Sequence, residues 1–303
     1  MRFSWLSIGL GLAAMACGSG DGAGGEPVAN DPSKLTFTTP EFEVPTGDSF
    51  TCFYTDTYTD REIAVASATG NQDTGGHHIL AFWTDVPREA QAHECNDAEM
   101  VSWHQIAGSA GKDVGGAVLG LEDGLAVQIP AGVQLVLQAH YINTTTSPKK
   151  VHDTVTLNLV EPADVVSYVK YFVTDDETFE LTPHSKGMSV TYCDVPRDFS
   201  MALSLGHMHE LGTRYRLEVV DAADAVQSTI IDNEWDPEFT SHPEVLYYGI
   251  DDPLLLKKGT RLKQTCDWNN LTANPVIFPR EMCLAFFYYF PGDDDMTCDM
   301  VKP

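Results

Sequence analysis

AVQIPAGVQLVLQAHY, residues 126–141, decides the fold class. Past the Pro130-Ala131-Gly132 turn signal, Val133, Leu135, Leu137, Ala139 and Tyr141 share one side of an extended chain. Gln134, Val136, Gln138 and His140 take the other, because successive strand side chains point to opposite faces. The first face reads as core. The second is more polar and is expected to display His140.

Reading outward, short β-like runs repeat on both sides of this segment. KLTFTT, EIAVASA, HHILAFW and TVTLNLV form one group with it. VVSYVKYFVT, MSVTYC, SMALSLGHMH, TRYRLEVV, EVLYYGI, RLKQTC and CLAFFYYF form the next. Many closely spaced strands without intervening helices predict an all-β protein of antiparallel sandwiches rather than βαβ units. One short helix is expected within REAQAHECNDAEMVSW. The strand groups part near Glu161-Pro162-Ala163-Asp164, which predicts an N-terminal domain over 35–162 and a C-terminal domain over 163–303. No close sequence repeat is visible.

The chain carries 18 basic and 44 acidic residues, a formal charge of -26. That excludes the basic face that nucleic acid demands and disfavours an anionic lipid surface. The deficit is shared, -12 over 41–162 and -13 over 163–303, so it is general surface charge rather than an acidic tail. The leader MRFSWLSIGLGLAAMAC has a positive start and an apolar run too short to span a bilayer, the pattern of a signal peptide over 1–17. Cys17 follows Ala14-Met15-Ala16 and precedes a Gly-rich tether over 18–34, as at a bacterial lipoprotein processing site, although Ala14 stands where Leu is preferred. Cys17 is therefore the expected lipid anchor in a bacterial cell envelope, periplasmic or outer membrane, and no other membrane attachment is expected. Six of the seven cysteines remain: Cys52 and Cys95 before the boundary, Cys193, Cys266, Cys283 and Cys298 after it. In an oxidising compartment each half can close its own disulfides, with 15 pairings open in principle.

The histidines carry the functional signal. His77 and His78 follow Gly75-Gly76 at the head of an apolar strand. His207 and His209, two apart in SLGHMHELG, would share one face of a strand as a two-point metal grip. Neighbouring strand residues diverge, so His77 and His78 could meet one ion only at a bend or bulge, which the two glycines make plausible. Each motif alone has an ordinary surface or core explanation. Met282 alone, beside CLAFFYYF, reads as a core methionine.

Taken in order, HHILAFW, LQAHY, HMHELG and EMC followed by an aromatic strand resemble the copper type II, ascorbate-dependent monooxygenases. That family includes peptidylglycine α-hydroxylating and dopamine β-monooxygenases. The resemblance spans roughly residues 35–300. It implies two antiparallel jelly-roll-type β-sandwich domains facing each other across a cleft. It implies two coppers per chain: one on His77, His78 and His140 that relays electrons, and one on His207, His209 and Met282 that carries the oxygen chemistry. It also implies the disulfides Cys52–Cys95, Cys193–Cys298 and Cys266–Cys283. The implied reaction hydroxylates a C–H bond with O2 and an external reductant such as ascorbate. Imidazole serves copper in both oxidation states and a thioether favours Cu(I).

The match departs where peptide-amidating members anchor a substrate carboxylate with Arg and Tyr. Leu205 and Phe286 stand there. The substrate is therefore expected to be small and apolar or aromatic, with Gln138, Leu205 and Phe286 as candidates to line its cleft. No protein partner is evident. The competing readings are a copper-binding lipoprotein that stores, delivers or senses metal without turnover, and a plain surface binding module. Asp293-Asp294-Asp295 and Asp251-Asp252 lack calcium-loop spacing. Asn143-Thr-Thr145 and Asn270-Leu-Thr272 match glycosylation acceptors that mean little in a bacterial protein.

Overall fold

A computed structural model describes residues 31–110, 117–240, 243–293 and 296. The protein is almost entirely β. The described residues from Pro32 onward fall in one compact unit. Cys17 and Cys298 lie outside the described residues. Among the described residues no helix is long and apolar enough to cross a membrane.

This unit contains two sandwiches with matching topology. In the first, one sheet runs Lys34–Thr38, Thr154–Val160, Ile63–Asn71, Leu125–Ile129. Its facing sheet runs Gln91–Glu94, Gly47–Tyr58, Gln134–Asn143, Gly76–Thr84, Trp103–Ala110. In the second, Ser167–Asp175, Leu284–Phe290 and Phe199–His207 pair in the corresponding order, with Leu254–Leu256 beside Phe199–His207. The facing sheet runs Ser185–Asp194, Arg261–Asn270, Gly212–Val220, Val226–Glu234. A two-stranded clip recurs too: Phe42–Val44 with Lys149–Val151, and Glu180–Leu181 with Val276–Ile277.

The duplication extends to a side-chain device. At the end of Gln134–Asn143, the Asn143 amide donates to the Val44 and Ser147 carbonyls and accepts from Thr145 N–H and hydroxyl. At the end of Arg261–Asn270, Asn270 donates to the carbonyls of Leu181, Thr182 and Asn274 and accepts from Thr272 in the same way. Both asparagines are buried. The two Asn-x-Thr motifs are thus buried turn caps, each pinning its clip to a central strand, rather than surface acceptors.

No division of the compact unit falls near residue 162. A short 3-10 turn, Pro162–Asp164, leads into Ser167–Asp175, which pairs in parallel with Leu125–Ile129. This pairing makes the first sheet of each sandwich part of one ten-stranded sheet. The strands of the second half serve two cores by alternation. Leu203, Leu205, Tyr288 and Phe290 pack into the core built by the first half. Met201, Ala285, Phe287 and Tyr289 pack into the second core. The Tyr288 hydroxyl also donates to the Ile106 carbonyl at 2.9 Å. A continuous sheet with an apolar seam leaves little freedom for the halves to swing, since free domain motion goes with small, polar interfaces.

Several expectations are sharpened by this packing. The helix in REAQAHECNDAEMVSW is one turn, Asp97–Met100, with an Asn96/Glu99 capping box, and it is preceded by a strand, Gln91–Glu94. Met100 of that turn lies against Gln138, and Phe50 stacks on His140, which is buried at 5% exposure, not displayed. Its neighbours Gln134, Val136 and Gln138 are buried with it. The strand has two covered faces, and polarity on one of them marks hydrogen bonding rather than solvent. The long strand Gly47–Tyr58 was not legible as a run, because Thr and Asp interrupt its apolar alternation.

Candidate metal centre

The first histidine cluster is made by a β-bulge. His140 lies opposite His78, but Tyr141 lies opposite Gly76, so His77 is the extra residue on its strand. The bulge lets adjacent residues aim at one point, which a regular strand forbids. Its glycines are required. Gly75 has φ +100°, and a Cβ on Gly76 would stand 2.4 Å from the Gln72 Cβ.

The three rings present the same nitrogen inward. The Nδ1 atoms of His77 and His78 are 3.2 Å apart, those of His77 and His140 3.0 Å, and those of His78 and His140 3.4 Å. First-row metals bind imidazole nitrogen at about 2.0–2.1 Å, so ligands of one ion stand roughly 3–3.5 Å apart. The spacing fits a single ion.

The protonation states fit as well. His140 Nε2 donates to the Asp48 carboxylate at 2.5 Å, which leaves its Nδ1 lone pair turned inward. Phe50 stacks on the same imidazole, with centroids 3.9 Å apart and planes 9° off parallel. Burial lowers all three histidines. His77 falls to about 4, pushed further by His140 and His209 and opposed by Asp48 and Glu210. His78 falls well below its ordinary value through burial, then the other histidines. His140 is lowered by burial against the pull of Asp48. All three are neutral at pH 7 and able to bind metal.

The second cluster sits where Phe199–His207 ends. Met208 is fully buried, so the residues either side of it, His207 and His209, turn the other way together. Their rings are 5.1 Å apart at 84°. His209 Nδ1 donates to the Arg280 carbonyl at 3.1 Å, leaving Nε2 available. Burial, then His209, His77 and His140, lowers His207 to about 3. His77 and His207 each feel histidines of the other cluster, so the two clusters lie within electrostatic reach.

Glu281 organises this second cluster. Its carboxylate is completely buried and accepts the backbone N–H of His209 at 2.5 Å, of Leu211 at 3.0 Å and of Met282 at 3.0 Å. One side chain thus ties the HMHEL segment to the EMC segment. Above it Glu210 and Arg280 form an ion pair that holds the Glu210 carboxyl below its usual range. Below it the Cys266–Cys283 disulfide fixes the residue after Met282. Met282 is half-buried.

The remaining residues singled out from the sequence fall as follows. Leu205 lies opposite Phe286 across paired strands, and the Phe286 ring is 6.2 Å from that of His207. Together they form an apolar floor beside the second cluster. Gln138 is not on an open wall: it is buried, with Nε2 3.3 Å from the Met100 sulfur. Cys52–Cys95 and Cys266–Cys283 are closed. Cys193 is also disulfide-bonded, and its expected partner Cys298 is outside the described residues. His93 pairs with Glu99, His152 with Asp73, and His104 stacks on Trp83. Asp48, Phe50 and Glu281 were missed. Only Glu281, an acid beside an apolar strand and next to Met282, left a trace in the sequence.

No family model matches the chain, and no curated protein matches it. Among solved structures it is similar to PNGase F, a glycosylasparaginase from Flavobacterium meningosepticum, at 8% identity and a TM-score of 0.42, over 89% of this chain and 99% of that one. A structure of infectious bursal disease virus, Gx strain, follows at 8% identity and a TM-score of 0.23, over 86% and 73%. TM-scores this low carry no argument about function.

Proposed function

We propose that this chain is a two-copper monooxygenase that hydroxylates a C–H bond of a small apolar or aromatic substrate with O2 and an external reductant. The observation that carries the reading is the convergence of three neutral imidazole nitrogens on one point, with a second histidine pair within electrostatic reach. The donor set favours copper. Imidazole accepts both oxidation states, and a nearby thioether suits the reduced one. The resemblance of the four motifs to the copper monooxygenases supports the same assignment.

In this reading His77, His78 and His140 would hold one copper, and His207, His209 and Met282 the other. Copper would store the electrons and activate dioxygen. The protein positions and shields. Asp48 keeps the His140 proton on Nε2. Arg280 and Glu281 orient His209 and the segment bearing Met282. Leu205 and Phe286 offer apolar contact where a carboxylate anchor would otherwise stand, which favours a hydrophobic substrate over a peptide carboxyl terminus. Disulfides fit an oxidising compartment. The leader and Cys17 add the proposal of a lipid-anchored protein of the bacterial envelope.

The test is copper content after reconstitution, followed by reductant-dependent oxygen uptake with a panel of amines and aromatics. Two coppers and substrate-stimulated uptake are expected. Two coppers without uptake across the panel would instead indicate a storage, delivery or sensing protein. Zinc, or no more than one copper, would overturn the assignment.

A further inference from the structure

A cleft of about 450 Å3 lies where the two halves join, and none of the clustered histidines lines it. That volume is within the ~300–1,000 Å3 typical of small-molecule sites. Trp83, His104, Gln105, Gln128, Lys170 and Tyr171 are among its lining residues.

Its chemistry suits a flat, hydroxylated ring. Trp83 and His104, stacked on each other at 3.8 Å and 13°, line one wall. Tyr171 also lines the cleft and brings a phenol hydroxyl, which can donate to an acceptor on a ligand. The side-chain amides of Gln105 and Gln128 add donors and acceptors at the edge. Gln128 is held in place by Glu62, which also accepts from Tyr168. Rings for stacking with a few convergent polar groups are the usual make-up of a ligand site.

The cleft is also wired to the second cluster. The Tyr171 ring stacks on Phe286 at 6.2 Å, and Phe286 stands 6.2 Å from His207. A ring seated against Tyr171 is thus three ring-to-ring steps from the His207 imidazole. None of the clustered histidines lines the cleft, so a reductant there need not compete with substrate.

We propose that this cleft seats a planar reductant of the hydroquinone class and is the point where electrons enter the protein. The proposal rests on the copper reading above. A hydroquinone losing two electrons and two protons leaves as the quinone. The electrons reduce two cupric ions to cuprous, one at each cluster, and the protons pass to water at the cleft mouth.

Two measurements test it. In copper-free protein, hydroquinone quenches tryptophan fluorescence saturably, and Gln128→Trp, which fills the cleft from its exposed rim, weakens binding at least tenfold. Tyr171→Phe, which keeps the ring and removes the donor, weakens it less. Unsaturable quenching, or equal affinity in Gln128→Trp, overturns the ligand site. In copper-loaded protein, loss of the Cu(II) paramagnetic signal with hydroquinone is expected to saturate in wild type and to slow at least tenfold in Gln128→Trp. Dithionite is expected to reduce both proteins alike, which a collapsed variant would not allow. Equal hydroquinone rates overturn the electron-entry assignment even when two coppers are bound. Failure to bind copper overturns electron entry together with the reading beneath it, while the quenching result stands or falls alone.

Discussion

The Glu281 carboxylate accepts the backbone N–H of His209 at 2.5 Å, across 72 residues of sequence. The same group holds Leu211 and Met282, so the second cluster has its shape through one buried side chain. Leaving buried N–H groups unsatisfied costs about 1–3 kcal/mol each.

Replacing Glu281 with Ala is therefore expected to lose copper at the second cluster and keep it at the first. Metal analysis should fall from two ions to one, and chemical denaturation should show a loss of roughly 3 kcal/mol or more. Two tightly held coppers in the variant would refute this role.

Asp48→Asn tests the first cluster separately. Removing a carboxylate behind a metal-binding imidazole typically costs about 10–100-fold in affinity. Chelator competition should show that loss at the cluster of His77, His78 and His140, with the second site unaffected. Asp48 is largely exposed, so little change in stability is expected.

Gly76→Ala probes the bulge. The new Cβ would meet Gln72 at 2.4 Å, so the strand must shift. Overpacking of this kind costs about 1–3 kcal/mol. Copper content should fall to one ion because His77 can no longer turn in. Two intact sites would show that the bulge survives the methyl group.

Asp153 governs a pH dependence outside both clusters. Burial pushes its carboxyl up from 3.8 to about 6, against hydrogen bonds from Tyr141 and Gln72. A raised acid binds its proton more tightly when folded. Its stabilising contribution is complete below pH 3.8 and is lost as pH rises through about 6. The gap corresponds to about 3 kcal/mol. Urea denaturation of metal-free wild type and Asp153→Asn from pH 4 to 7 should show wild type losing about that much relative to the variant. Parallel curves would place the carboxyl near its ordinary value.

Asn270→Ala removes three donated hydrogen bonds and two accepted ones from a buried turn. At a net ~1 kcal/mol per bond the variant should lose several kcal/mol of stability. Asn143→Ala should behave alike, because the two turns repeat one device.

Sequence alone determined the all-β class, most of the runs that form strands, and the three histidines, His77, His78 and His140, that converge. Alternation, turn residues and the glycines before His77 are local properties of the chain, and strands advertise them locally. Only the tertiary structure decided that His140 is buried, that His77 is the bulged residue, and that Glu281 and Asp48 set the clusters. It also revealed the topological repeat, which the two halves share without sharing sequence. The reason is that burial, register and hydrogen-bond partners are relations between distant segments. Glu281 and His209 acquire their meaning only when two strands seventy residues apart end side by side.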